Sequence, residues 1–434
     1  MTHVERLFAL EQFGIKLGLD AMRVLLAALG EPQARWPAVH VAGTNGKGSA
    51  TAMIDAALGA AGWRVGRYTS PHLARLEERI VVGGREVTPA TLDAALGRVF
   101  AAVDALVDAG RLAATPTFFE VSTAAAFVVF ADAAVDVAVV EVGLGGRFDA
   151  TNVVQPAVTA ITSIDFDHER HLGTTLAAIA GEKAGIAKPG VPLVVGRLAA
   201  EPFAVVREVA ARAGAPLVAV ADEVTATAAN DRGHVVATFA TPERAYPPVR
   251  LGLAGRHQAD NAAVALRTLE VLSATTPIHL APADVIAGLR DVRWPARLEW
   301  LRLPGEGARV LVDAAHNPAG ARALASYLRD AAIGPVTLVT SIMRDKDVAG
   351  VLAPLLPLAA RVVATSADTP RASDAGALAD AIAALDGPPV TAVADPGAAV
   401  QDALADGRPV VIAGSIFLVG PLRAALLAQG AETA

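Results

Sequence analysis

Val39-His40-Val41-Ala42-Gly43-Thr44-Asn45-Gly46-Lys47-Gly48-Ser49-Ala50-Thr51-Ala52-Met53-Ile54 reads as strand, tight glycine turn and helix. Phosphate chemistry needs this layout. Glycines at 43, 46 and 48 let the backbone approach a phosphate and aim its N–H groups at it, while the helix dipole adds positive potential and Lys47 a point charge. Ser49 is placed to bind magnesium or a phosphate oxygen. The spacing is one residue shorter than G-x-x-x-x-G-K-[ST] and inserts Gly48 after the lysine, so it is a variant of that motif. A structural turn carrying a surface lysine is the alternative. The strand before and the helix after favour a nucleotide loop made of Gly43, Thr44, Asn45, Gly46, Lys47, Gly48 and Ser49.

Outward from this loop, short β-rich runs alternate with alanine-rich helical stretches: Ala38 to Ala42 then Ala50 to Ala61, Val135 to Val142, Ala157 to Ile164 then Leu176 to Ile186. That alternation predicts βαβ units and a mostly parallel sheet covered on both faces. Leu217 to Leu253 differs, with extended runs at Val235 to Phe239 and Val249 to Leu253, and is expected to form an antiparallel edge. A second series follows Trp294-Pro295-Ala296-Arg297, with strands expected at Arg309 to Ala314, Val336 to Ile342, Arg361 to Ser366, Val390 to Val393 and Pro409 to Gly414. It predicts a smaller doubly wound α/β domain with its ligand edge at the carboxyl ends of the strands. Pro295 restricts the chain locally, which sets the boundary between a domain at 1–293 and one at 298–434.

Two domains suit a chain of 434 residues. The 53% hydrophobic content is inflated by alanine, and no window offers the roughly 18 uninterrupted apolar residues of a membrane span. Met1 to Phe13 lacks a basic segment followed by an apolar core, so a cytoplasmic protein is expected. Cysteine is absent, which excludes disulfides, thiolate metal sites and a cysteine nucleophile. With 37 Lys plus Arg against 44 Asp plus Glu, a net charge of −7 and no basic stripe, nucleic acid is an unfavoured partner.

Candidate acids and ligands stand at strand ends. Val137 to Val140 leads into Glu141 and a polar loop to Asn152, placing a carboxylate where a nucleotide enzyme holds magnesium; an acid that merely terminates a strand is the other reading. Thr159 to Ile164 leads to Asp165-Phe166-Asp167-His168-Glu169, although a histidine beside acids is more often a surface or hydrogen-bonded core group. Glu182-Lys183 amid alanines reads by itself as a solvated ion-pair face. Ser70, in Thr69-Ser70-Pro71-His72, is either a helix cap or a magnesium-adjacent hydroxyl.

Taken together, Gly43 to Ser49, Thr69 to Leu73, Glu141 to Asn152, Asp167-His168, Glu182 to Ile186, His257-Gln258 with Asn261, Trp294 to Glu299 and Asp313 to Pro318 resemble the folylpolyglutamate synthase and dihydrofolate synthase family of the wider Mur ligase group. The resemblance runs from about Phe13 to Gly420. It implies an α/β protein with a P-loop, Mur-ligase-like N-terminal ATPase domain, a smaller Rossmann-like C-terminal domain, and a cleft that closes over ATP. By matching motifs it implies magnesium binding by Ser70, Glu141 and His168, to which the loop reading adds Ser49. Lys183 is implied as a carbamylated lysine, an amine turned into a carboxylate able to help hold a second metal. Asn261, Arg297 and Asp313 match positions that contact ATP. Thr117, Phe118, Phe119 and Glu120, with Phe148, Asp149 and Ala150, match segments lining the pterin pocket, and His316 matches a position near the incoming glutamate. Lys47, Lys183 and His316 are the implied catalytic set. The family often has glycine at Ala314 and leucine at Phe148, differences that bear on pocket shape rather than reaction class.

The reaction implied is attack of a substrate carboxylate on the γ-phosphate of ATP, followed by attack of the glutamate amine on the acyl phosphate. Dihydropteroate or a reduced folate, L-glutamate and ATP are the expected small-molecule partners, with a monomer and no membrane association. A Mur-type cell-wall ligase is the rival within the class, but it usually carries a nucleotide-sugar domain before the loop, and 42 residues precede Gly43. A P-loop ATPase or binding module that forms no amide is the rival outside it.

Overall fold

Residues 2–14, 18–305 and 307–433 are described by the structure, a computed structural model. The chain divides into two compact units, the first made of residues up to 226 with 239–247 and 260–292, the second of 227–238, 248–259 and 293–434.

The first unit is built on eight strands: β1 (Ala38–Ala42), β2 (Val65–Tyr68), β3 (Ile80–Val82), β4 (Arg85–Glu86), β5 (Val137–Glu141), β6 (Pro156–Ile161), β7 (Leu193–Val195) and β8 (Leu217–Ala219). Their order is β4-β3-β2-β5-β1-β6-β7-β8. From β2 to β8 neighbours run parallel, and only β3 and β4 are antiparallel additions. Every residue of β1 and of β5 is buried, as strands covered on both faces require. One core gathers Met22, Leu25, Trp36, Tyr68, Phe100, Phe127 and Phe130; a second gathers Val142, Ile161, Ala180, Ile186 and Val206.

β1 lies between β5 and β6, with Val41 beside Glu141 and Ala42 beside Ile161. This is the point where the strand order reverses, and the carboxyl ends of three adjacent parallel strands open a crevice there. The helix Lys47–Ala60 leaves from it. The helix Pro282–Asp291 packs against it through Gly288, where an added Cβ would stand 2.4 Å from the backbone nitrogen of Ala57.

The stretch expected to form an antiparallel edge instead divides. β8 is a parallel edge strand, while β9 (Thr225–Asp231), β10 (His234–Ala240) and β11 (Ala245–Arg250) form a separate three-stranded sheet, ordered β11-β10-β9. Its tip belongs to the second unit, although the sequence reading kept it within 1–293. The reason is specific contact: Asn230 Nδ2 donates to the Asp330 carbonyl at 3.0 Å, Arg256 grips the Asp330 carboxylate at 2.6 and 3.0 Å, and a Cβ at Gly233 would meet the Tyr327 ring at 2.4 Å. At the base of the sheet, Arg267 is buried and donates to Glu223 at 2.7 Å and to Glu270 at 3.0 Å, while Tyr246 and Thr241 hydroxyls donate to the other Glu270 oxygen. Replacing Arg267 with methionine would leave Glu270 charged and buried, and is expected to destabilise the first unit by about 3–5 kcal/mol, read as a lower urea midpoint.

The second unit carries β12 (Glu299–Arg302), β13 (Arg309–Val312), β14 (Val336–Thr340), β15 (Ala359–Ala364), β16 (Val390–Ala392), β17 (Val410–Ala413) and β18 (Glu432–Thr433), ordered β16-β15-β14-β17-β13-β12-β18. The run from β16 to β13 is parallel, and β12 and β18 add antiparallel strands at one side. Leu311, Leu324, Leu338, Val362 and Val411 centre its core.

Candidate active site

Gly43 and Gly46 hold the phosphate loop in conformations that side chains resist. Gly46 has φ +83°, and a Cβ there would lie 2.2 Å from Asn261 Oδ1; Gly43 has φ +149°, and a Cβ would lie 2.0 Å from Thr162 Oγ1. The helix begins at Lys47, earlier than the sequence suggested, so Lys47, Gly48 and Ser49 form its first turn. The residues after β6 brace the loop: Thr44 N donates to the Ser163 carbonyl at 2.8 Å, Asn45 N to Ser163 Oγ at 3.0 Å, and the Thr162 and Ser163 hydroxyls to the Asn45 carbonyl at 2.7 and 2.9 Å. Thr44 Oγ1 both donates to the Asp165 carbonyl and accepts from its N–H, each at 3.0 Å. Sequence reasoning singled out the loop but missed Thr162 and Ser163, whose one signal was a pair of hydroxyls ending an apolar strand.

Lys47 Nζ folds back to the carbonyls of Gly43 (3.1 Å) and Thr44 (3.2 Å). Lys183 Nζ donates to that same Gly43 oxygen at 2.9 Å, from a side chain only 4% exposed. The ion-pair face that its helix, Leu176–Ala184, suggested is therefore split: Glu182 pairs with Arg147 at 2.5 Å, whereas Lys183 turns inward to the loop. Burial, then the neighbouring charge of Lys47, pushes the Lys183 pKa down to about 7, against the pull of Asp167 and Asp149.

Glu141 ends β5 at 5% exposure, and its carboxylate accepts from the Ser70 backbone N–H at 3.2 Å, so these two are brought together. His168 sits in a left-handed turn, φ +51°, with its ring Nε2 3.9 Å from Asp167 Oδ1 and its side chain 39% exposed. Among the described residues no group of three or more His, Asp or Glu side chains gathers as a metal site. A hard divalent cation fits the chemistry of the donors, because the Glu141 carboxylate and the Ser70 hydroxyl belong to residues in contact and both offer oxygens.

The segments expected to line a pterin pocket divide by role. Thr117 caps the helix Phe118–Asp132, and one oxygen of Glu120, Oε2, is engaged in that cap, accepting from Thr117 N at 2.7 Å and Thr117 Oγ1 at 2.8 Å. Phe118 packs on Phe8 and under the Arg79 guanidinium, and Phe119 lies beside Tyr68 and so close to Gly143 that a Cβ there would be 2.4 Å from its ring. Phe148 is 38% exposed beneath Arg147. Asp149 is buried, and its carboxylate accepts from Leu144 N at 2.8 Å and Thr151 N at 3.0 Å. Ala150 is buried at the start of the short 3-10 helix Ala150–Val153.

In the second unit, Asp313 follows β13 and accepts from Leu298 N at 2.8 Å and Ala315 N at 2.9 Å, clamping the turn that presents Arg297. Burial raises its pKa while the Arg297 charge opposes that rise. His316 Nδ1 lies 2.9 Å from the Ala314 carbonyl and so carries a proton there, just before the helix Pro318–Asp330.

A phosphate loop at the reversal point of a parallel sheet, with a carboxylate at the next strand end and a separate Rossmann-like unit, is the plan of a Mur-type ligase. The sequence matches the Mur ligase middle domain over residues 85–269 and the Mur ligase glutamate ligase domain over 296–416. It is 39% identical over 376 residues to the dihydrofolate synthase/folylpolyglutamate synthase of Bacillus subtilis, covering 85% of this chain and 86% of that one. The Mycobacterium tuberculosis folylpolyglutamate synthase complexed with ADP superposes with a TM-score of 0.90 at 36% identity, covering 100% of both chains. E. coli FolC in complex with DHPP and ADP superposes at 0.87 with 29% identity, covering 99% and 98%. The chain belongs to the folylpolyglutamate synthase and dihydrofolate synthase family, and it is an ATP-dependent, ADP-forming ligase.

Proposed function

We propose that this ligase joins L-glutamate to dihydropteroate, to reduced folates, or to both, through an acyl phosphate formed at the Gly43–Ser49 loop. The observation that carries the chemistry is Lys183, a buried amine 2.9 Å from the Gly43 carbonyl with its pKa near 7. An amine that is half neutral at physiological pH can attack carbon dioxide, releasing a proton and leaving a carbamate, which an ordinary lysine at its usual pKa does only slowly.

In this reading Gly43, Thr44, Asn45, Gly46, Lys47, Gly48 and Ser49 hold the phosphates, with Asn261 abutting Gly46 from one side. Lys47 leaves the Gly43 and Thr44 carbonyls for the β- and γ-phosphates. Arg297 and Asp313 are the further nucleotide contacts of this reading. Ser49, Ser70, Glu141, His168 and carbamylated Lys183 would hold magnesium, which when bound neutralises charge on the phosphates. A carboxylate oxygen of the pterin substrate attacks the γ-phosphorus, and ADP departs. The glutamate amine, received beside His316, then attacks the acyl carbon; phosphate leaves and an amide remains. Thr117, Phe118, Phe119, Phe148, Asp149 and Ala150 form the pterin-facing wall, with Glu120 holding the Thr117 turn. The reading includes a monomer working in the cytoplasm; among the described residues no helix is long and apolar enough to cross a membrane.

ADP release from Mg-ATP, with dihydropteroate or tetrahydrofolate supplied singly and then with L-glutamate, tests this directly. Turnover requiring both a pterin and glutamate is expected, and the better pterin identifies the preferred substrate. ADP release indifferent to both would overturn the assignment in favour of an ATPase or binding module.

A further inference from the structure

Beneath the phosphate loop, β1 carries a histidine that the reaction scheme leaves unused. His40 is wholly buried, and its Nε2 lies 2.8 Å from Thr151 Oγ1. The Thr151 hydroxyl, also wholly buried, donates its proton to Asp149 Oδ1. Its oxygen can therefore only accept from His40, which places the imidazole proton on Nε2. Nδ1 has no hydrogen-bond partner. Burial, with the charge of Lys188 adding to it, pushes the His40 pKa down to about 3, so the ring stays neutral and the direction of donation does not change at working pH.

Asp149 is where this chain of donors ends. One carboxylate oxygen accepts from the Thr151 N–H and hydroxyl, and the other accepts from Leu144 N. The loop from Gly143 to Asp149 is thus folded around a carboxylate whose own orientation depends on Thr151. That loop follows Glu141 and contains Phe148.

We propose that His40 is a positioning residue: through Thr151 it orients the Asp149 carboxylate and so sets the loop Gly143–Asp149 against the pterin substrate, tying the strand that feeds the phosphate loop to the substrate wall. The proposal rests on the pterin reading given above. An apolar residue would fill this strand position equally well; a buried imidazole has a cost that its hydrogen bond must offset. A relay of neutral donors ending on a carboxylate holds orientation without placing a second charge in the core.

Thr151→Val, nearly isosteric, removes the hydroxyl while leaving nucleotide contacts untouched, and His40→Gln keeps a donor near the Nε2 position where His40→Leu does not. Thr151→Val and His40→Leu are expected to raise the KM for the pterin substrate by about tenfold, the worth of one buried hydrogen bond, with the KM for ATP unchanged. Thr151→Ser and His40→Gln should restore most of it. If His40→Leu fails to fold, the Thr151→Val and Thr151→Ser pair decides. A pterin KM unchanged in Thr151→Val, or one raised equally with the KM for ATP, overturns the relay. If the unsubstituted protein shows no pterin-dependent turnover, the functional reading fails first, and the two failures are thereby distinguished.

Discussion

Lys183→Met is expected to lower kcat by about a thousandfold while raising thermal stability at pH 7. The two effects share one cause. An ammonium held 4% exposed beside the charged Lys47 is costly, and a drop from an ordinary 10.5 to about 7 corresponds to a cost on the order of several kcal/mol. Because the folded pKa is the lower one, the unfolded chain binds more protons between pH 7 and 10.5, so stability rises with pH across that window and the full penalty is present below it. Methionine fills the volume without the charge, and the Gly43 carbonyl keeps its bond from Lys47. In bicarbonate-free, magnesium-free buffer, where the lysine is the unmodified amine, the variant should therefore melt a few degrees higher at pH 7, and the difference should shrink as pH approaches 10. The activity of the unsubstituted enzyme should climb as pH passes 7 and respond to bicarbonate most strongly below that point. Activity within tenfold of the unsubstituted enzyme would remove Lys183 from the chemistry; a lower Tm would show that the buried amine carries no such penalty.

Gly46→Ala should weaken ATP binding at least about a hundredfold, whereas Gly59→Ala in the same helix should leave it unchanged. At Gly46 the backbone is left-handed, where a side chain costs about 1–2 kcal/mol, and the new Cβ would also press on Asn261 Oδ1 at 2.2 Å. Either the loop opens or the Asn261 amide turns away, and on the proposed nucleotide reading both remove donors from the phosphates. Gly59 lies exposed near the end of the helix Lys47–Ala60, with nothing within 4 Å of an added Cβ. There alanine should stabilise the protein by about 0.5–1 kcal/mol. Titration of both variants with a fluorescent ATP analogue separates strain in the loop from a general effect of losing glycine; equal affinities would show that the left-handed turn is dispensable.

Motifs whose chemistry is local were legible without the fold. The strand, glycine turn and lysine from Val39 to Ser49 could be read because short-range sterics and one strand-to-helix junction suffice to make a phosphate loop. The central strands, β1, β5 and β6 of the first unit and β13 to β17 of the second, followed from the alternation of apolar runs and alanine-rich helices, whereas the short β3, β4 and β7 did not stand out. β12 and β18 escaped notice: a four-residue strand carrying Glu299 and Arg302, and a two-residue strand of Glu432 and Thr433, show no apolar run.

Lys183 marks the limit of that reading. By itself Glu182-Lys183 was an ion pair on a solvated face, and only the packing of its helix against the sheet sends one of the two side chains to Arg147 and the other to Gly43. The same holds for the sheet of β9 to β11, whose tip joins the second unit through Asn230, Gly233 and Arg256, and for Glu120, one oxygen of which is taken up by its own helix cap. Local sequence determined which elements form and which residues can bind phosphate, because those depend on neighbours along the chain. Tertiary structure alone decided which amine is stripped of water and which carboxylates are already engaged, because desolvation and long-range hydrogen bonds depend on residues more than a hundred positions away, as Lys183 and Gly43 are.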